Sequence, residues 1–196
     1  MRVLGTAAAL LLAVAVLFGM QHTMPAYGDI TSPVAIRGEA GTRVEGRDYA
    51  FAAANIHFAR IVGVERFGER RDHTTSGVWI LIEGAAVAKT ETLALTSAEW
   101  LGPSGVRYAL SQRFSTISGY LPSERLEPGL PRPVLLAFEV PEAELPGGTL
   151  IVSRSAYTPL GEELWIGLGE KHPKKVAAAA TLARSDVGLP WILKLE

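Results

Sequence analysis

The chain contains no cysteine. That absence excludes a disulfide framework, a lipid-modified cysteine, thiol catalysis and thiolate metal sites. Net charge is nearly absent as well, at −1. No global field therefore draws the protein to nucleic acid or an anionic surface. No Gly-rich phosphate loop is present, since Pro146-Gly147-Gly148 lacks the following Lys-Ser/Thr. The four histidines, His22, His57, His73 and His172, are scattered and none shows a two-His helical spacing for metal. No repeat at a solenoid period is present either.

What the chain does have is an unbroken apolar run from Val3 to Met20, preceded by Arg2 and free of internal charge. As a helix its 18 residues cover roughly 27 Å, close to the thickness of a bilayer's hydrocarbon core. Two readings follow. One is a retained single-pass anchor, in which Val3, Leu10, Leu11, Leu12, Val16, Leu17 and Phe18 face lipid. The other is a cleaved secretory signal, although the nearest small-x-small site, Ala26-Tyr27-Gly28, is far from the end of the run. Arg2 keeps the N-terminus cytoplasmic and places the remainder outside. The expected location is a bacterial cytoplasmic membrane, with the domain on the periplasmic side.

Residues 21–33 form a polar, Pro- and Gly-containing spacer. From residue 34 short apolar segments alternate with turn signals. Val34–Ile36 and Thr42–Glu45 are strand candidates. Tyr49–Phe67 keeps a two-residue beat through Ile56, Phe58, Val62 and Val64, with a bulge expected near the alanines at 52–54. Glu69–Gly77 is dense in charge and turn formers and reads as an exposed loop. Val78–Ala88, opening Val-Trp-Ile-Leu-Ile, is apolar on both faces and reads as a central strand. Leu93–Leu110 forms a hairpin about Gly102-Pro103-Ser104-Gly105. Val134–Val140, Thr149–Ser153 and Leu164–Leu168 supply further strands. The tail, 171–196, combines lysines, an Ala-rich stretch and an apolar Leu189-Pro190-Trp191-Ile192-Leu193 segment; it reads as a helix over Val176–Ala183 followed by a short strand, the alternative being a loosely held tail. This pattern predicts an all-β, immunoglobulin-like antiparallel β-sandwich over 34–170, with about seven to nine strands. A small closed barrel is the alternative. The residues left after the apolar run suffice for one ordinary domain.

Leu126-Glu127-Pro128-Gly129 followed by Val134-Leu135-Leu136-Ala137-Phe138-Glu139-Val140-Pro141 resembles the second half of bacterial extracytoplasmic immunoglobulin-like domains of unknown function. Such domains occur in anchored lipoproteins and secreted antigens. The resemblance covers roughly residues 45–168 and its motif is confined to 126–141. It implies an exported, non-enzymatic module and transfers no catalytic residue. The chain departs from many such relatives in lacking the cysteine of a lipid anchor, a role the apolar run would take.

Few residues suggest chemistry. Asp72, His73 and Ser76 spell a Ser/His/Asp set, but on a single loop without a strained nucleophile turn or an oxyanion site, so a solvated loop is the expected reading. Glu142, Glu144, Glu162 and Glu163 lie in expected loops without calcium-loop spacing. Arg66, Arg70 and Arg71 are nearly neutralised by Glu65, Glu69 and Asp72. Of the four tryptophans, Trp79, Trp100 and Trp165 sit in or beside strands, where packing is the common role. Trp191, in an apolar terminal segment, either closes the sheet on its own domain or, with Ile192 and Leu193, presents an edge to a partner. The expectation is a membrane-held interaction module with a protein partner in the envelope and with no cofactor, metal or catalytic residue. The alternative is a module binding a lipid, glycan or cell-wall fragment.

Overall fold

The structure, a computed structural model, describes residues 2–25, 27–168, 175–185 and 187–196. It divides into two units, residues 1–32 and 33–196. Lys171, His172 and Lys174 lie outside the described residues.

The first unit holds helix α1 (Arg2–Thr23) and a short helical turn, α2 (Tyr27–Thr31), within the expected spacer. Nineteen residues of α1, Gly5–Thr23, are long and apolar enough to cross a membrane or to serve as a signal sequence. Leu10, Leu11, Leu12, Val16, Leu17 and Phe18 are all exposed on it, and Val3 lies within the helix.

The second unit is a β-sandwich. Eleven strands are present among the described residues: β1 (Val34–Glu39), β2 (Arg43–Glu45), β3 (Tyr49–Arg66), β4 (Glu69–Ala88), β5 (Ser97–Leu101), β6 (Arg107–Ala109), β7 (Arg132–Val140), β8 (Thr149–Ser153), β9 (Glu162–Gly167), β10 (Ala177–Arg184) and β11 (Trp191–Leu195). One sheet runs β1-β9-β8-β5-β6 and the other β11-β10-β3-β4-β7, with β2 also paired to β3. The sheets are separate, so the barrel alternative falls. The count exceeds seven to nine because short β2 and the C-terminal pair β10–β11 add to the sheet that β3 and β4 build.

Sequence signals account for most of these elements. The alternation in β7 and the Gly102–Gly105 turn between β5 and β6 appear where the pattern places them. The bulge in β3 falls between Ala53 and Asn55. β4 pairs with β3 on one side and, from Val78 onward, with β7 on the other, as its doubly apolar start requires. Ile80, Ile82, Leu136 and Phe138 alternate with Trp79, Leu81, Leu135 and Ala137, and all eight are buried. Both faces of this sheet are therefore covered. The other sheet covers one, with the Trp100 and Phe138 rings 6.4 Å apart. The connection between β6 and β7 covers the other. Its Phe114 meets Trp79 edge-on at 5.1 Å, and its Gly119 carbonyl accepts from the Leu135 N–H.

Two expectations are corrected. Glu69–Gly77 is not a loop but the first part of β4, where Glu69–Thr74 pairs with Ile61–Arg66 of β3. Its charges line a strand edge, a common way to keep an edge from pairing further. The Ala-rich Val176–Ala183 segment is strand β10, not helix. It runs parallel to β3, with Ala180 opposite Val62 and Leu182 opposite Val64. The helix propensity of alanine, a few tenths of a kcal/mol per residue, yields to the backbone bonds and burial that the open edge of β3 offers. The tail thus belongs to the sandwich rather than standing apart.

Every member of the hydrophobic core lies in the second unit, beginning at Val44. This unit has the burial needed to fold without α1. β3, with 18 residues, sets the long dimension at roughly 60 Å. Tyr49, where β3 begins, donates its hydroxyl to the carbonyls of Val152 and Glu162, and Val34 pairs with Glu162. The start of the unit therefore lies at the Tyr49 end. The β3–β4 turn lies at the far end, where Phe67 (φ 53°) is fully displayed.

Candidate interaction edge

Strand β11 ends its sheet. It pairs antiparallel with β10, placing Arg184 opposite Trp191, Leu182 opposite Leu193 and Ala180 opposite Leu195. Ala179 and Glu196 exchange both backbone bonds. In an antiparallel ladder such exchanging pairs recur at every second residue. Ile192, Lys194 and Glu196 therefore direct their N–H and C=O groups at β10, and Trp191, Leu193 and Leu195 direct theirs outward. Among the described residues no backbone partner meets that outward row. Ile192 and Leu195 are 44% and 51% exposed, leaving apolar surface beside unpaired backbone. This edge is guarded only by Lys194, whereas the free edge of β4 carries Glu69, Arg70, Arg71 and Asp72.

Trp191 fixes the strand. Its indole is buried and packs against Gly119, where an added Cβ would lie 2.3 Å from the ring. Gly119 also holds φ +83°, open to glycine at little cost. The Trp191 Nε1–H donates to Glu83 Oε1 at 2.8 Å. The other oxygen of Glu83 meets His57 Nε2 at 3.1 Å and accepts from Asn55 Nδ2 at 3.2 Å. Burial pushes the Glu83 carboxyl upward, but bonds from Trp191, His57 and Asn55 outweigh it and hold the group below the usual carboxylate range. At the other end of β11, Glu196 accepts from the Thr181 hydroxyl and from Arg70, which also pairs with Asp72. These bonds lower the Glu196 carboxyl too. β11 is thus pinned at both ends while its outer edge stays open.

Of the residues singled out in the sequence, Trp191 faces its own domain and is covered there. Ile192 is exposed on the opposite face, and Leu193 lies half-buried on the face of Trp191 with an outward backbone. Sequence reasoning passed over Glu83 and Leu195. A carboxylate within the apolar Val78–Ala88 run was the available signal, because a charge on such a strand calls for donors.

Asp72, His73 and Ser76 are not brought together. Asp72 is bound to Arg70, while the His73 ring lies 5.1 Å from Phe114 on the other face of β4. Burial, the first cause, and the nearby Arg71 and Arg113 lower the His73 imidazole below its usual value. Glu162 instead accepts from the Arg47 and Asp48 backbone N–H groups, closing the β2–β3 turn onto β9. Trp165 lies between the guanidiniums of Arg37 and Arg107, at 4.9 and 5.4 Å. No group of metal-ligating side chains is found among the described residues.

A pocket of about 90 Å³ opens between β3, β10 and the β6–β7 connection, lined by Val64, Ile117, Leu182 and Pro190. Pockets that enclose a whole small ligand are typically about 300–1,000 Å³. This one has room for a short aliphatic group only.

No family model matches the chain, and no curated protein matches it. Two solved structures resemble it. One is an uncharacterized β-sandwich protein from Clostridium difficile 630, with 15% identity over 69% of this chain and 95% of that chain and a TM-score of 0.46. The other is the yjhA protein from Bacillus subtilis, with 10% identity over 65% of this chain and 98% of that chain and a TM-score of 0.47.

Proposed function

We propose that the chain is an interaction module of a bacterial cell envelope, held at the cytoplasmic membrane by α1, that engages a protein partner by adding a strand to the outer edge of β11. The observation carrying this reading is the outward row of backbone groups on Trp191, Leu193 and Leu195, set beside exposed Ile192 and Leu195. Strand addition takes its affinity from main-chain bonds and its selectivity from alternate side chains. The pinning of β11 by Glu83 and Glu196 preorganises the edge, so little ordering entropy is lost on binding. Retention at a membrane raises the effective concentration toward any partner there.

The test places a photocrosslinking residue at Leu195 in the full chain, in its membrane. A discrete adduct that disappears in Leu193→Pro is the expected result. Crosslinks from Val106 with none from Leu195 would sink the reading. The intact mass of the recovered chain decides between a retained helix and a cleaved signal.

A further inference from the structure

Strand alternation sorts the charges at the start of β4 onto two faces. Arg70 and Asp72 meet on one face at 2.8 Å, and Arg70 also reaches Glu196. Arg71 and His73 go to the other face, opposite Val64 and Val62 of β3. The near neutrality of this segment in sequence is therefore not neutrality in space. Arg71 forms no hydrogen bond or ion pair among the described residues, and the His73 ring meets only Phe114, with both ring nitrogens unpartnered there. Arg113, from the β6–β7 connection, completes the group. Its guanidinium lies over the Trp79 ring at 5.6 Å and donates Nη1 to the Thr74 carbonyl at 2.9 Å. The same Nη1 lies 3.8 Å from Glu139, which takes the Thr75 hydroxyl at 2.8 Å. These contacts fix the guanidinium, while its Nε and Nη2 donors keep no partner among the described residues. Arg71, His73 and Arg113 line one shallow pocket of about 420 Å³, together with Thr74 and Asp72. Asp72 is committed to Arg70, and Glu69, on the face of Arg71 by alternation, does not line the pocket.

We propose that this pocket, separate from the β11 edge, binds a phosphate group, free or carried as a monoester, with Arg71, His73 and Arg113 as its donors. Guanidiniums bind oxyanions through paired N–H groups and stay charged at any physiological pH. Donors from three residues suit three free oxygens, which phosphate and its monoesters present, whereas a carboxylate or a phosphodiester presents two. Arg113 is held in place by Trp79 and Thr74 beforehand, which lowers the ordering cost of binding. Burial, followed by Arg71 and Arg113, lowers the His73 imidazole, and Asp72 opposes them more weakly. A phosphate between the arginines offsets their effect and favours the imidazolium, in which both ring nitrogens donate.

The test titrates inorganic phosphate into the full chain in detergent micelles and follows the His73 imidazole resonances, assigned by their loss in His73→Gln. The expected result is a saturable shift at His73, with the ring titrating at higher pH once phosphate is bound. Arg71→Gln breaks no bond among the described residues and should weaken binding about fivefold or more. Arg113→Lys keeps the charge but loses the fork and should weaken it by a similar factor. Arg154→Gln, just after β8 and outside the pocket, should leave the affinity unchanged. Sulfate has the same shape and does not titrate near neutrality, so its binding should tighten as pH falls through the His73 titration. Methyl phosphate that binds as well as inorganic phosphate makes the ligand a monoester of a larger molecule, and its failure confines the site to free phosphate. Acetate or dimethyl phosphate binding as tightly as phosphate overturns the three-oxygen assignment. A His73 ring that phosphate leaves unmoved, or an Arg154→Gln loss equal to that of Arg71→Gln, overturns the site itself.

Discussion

Trp191 and Glu83 are joined by an indole N–H to carboxylate bond of 2.8 Å, tying edge strand β11 to β4, three strands away in the same sheet. Trp191→Phe keeps most of the packing and removes the donor. A loss of about 1.5–3 kcal/mol in urea unfolding is expected, because the acceptor is charged. A loss below about 0.5 kcal/mol would show that the bond adds nothing beyond packing.

Gly119→Ala should cost about 1–3 kcal/mol through its left-handed backbone and the contact with the Trp191 ring. In Trp191→Leu the ring is gone while the backbone conformation stays. The double variant should therefore recover part of the cost, and a thermal-unfolding cycle over the four proteins measures how much.

Proline scanning tests the phase of β11. Ile192→Pro removes an N–H directed at β10 and should cost about 3 kcal/mol, whereas Leu193→Pro removes an outward N–H and should cost about 1 kcal/mol or less. Chemical denaturation of both variants decides the matter. Equal costs would place the ladder one residue out of phase.

Acid should loosen the C-terminal hairpin before the rest of the sandwich. Glu83 and Glu196 both have carboxyls held below their usual value of 4.5. Their folded-state pKa is the depressed one, so the stability they add is present above that usual value and is lost as pH falls through the lower folded value. Amide exchange in β11 should therefore rise below about pH 4 while β4 and β7 remain protected. Uniform loss across all strands would dissociate these carboxylates from the effect.

The core strands are plain in the sequence because burial writes their pattern directly. Val78–Leu81 could pack only with cover on both faces, and Val134–Phe138, apolar at five consecutive positions, is likewise buried on both. Glu69–Thr74 hid its strand because an edge defended by charge has the composition of a loop. Ala177–Ala183 hid its own because alanine carries little strand preference, and its partner, β3, lies far back in the chain. The open edge was legible only halfway. Trp191, Ile192 and Leu193 mark an apolar terminal strand, but which backbone groups face outward is set by register with β10, and no local pattern encodes that register.

The parallel pairing of β10 with β3 also bears on the order of folding. Val62 waits for Ala180, 118 residues further on, so β10 closes one of the longest loops in the domain, exceeded by the 128 residues between Val34 and Glu162, and pays a large closure entropy. During synthesis the remaining strands can collapse while β3 still has an unsatisfied flank. Any chain halted before Ala177 keeps that flank open for another molecule's strand. The final segment acts as a latch on a nearly finished domain, and stalled or clipped chains are the species expected to aggregate.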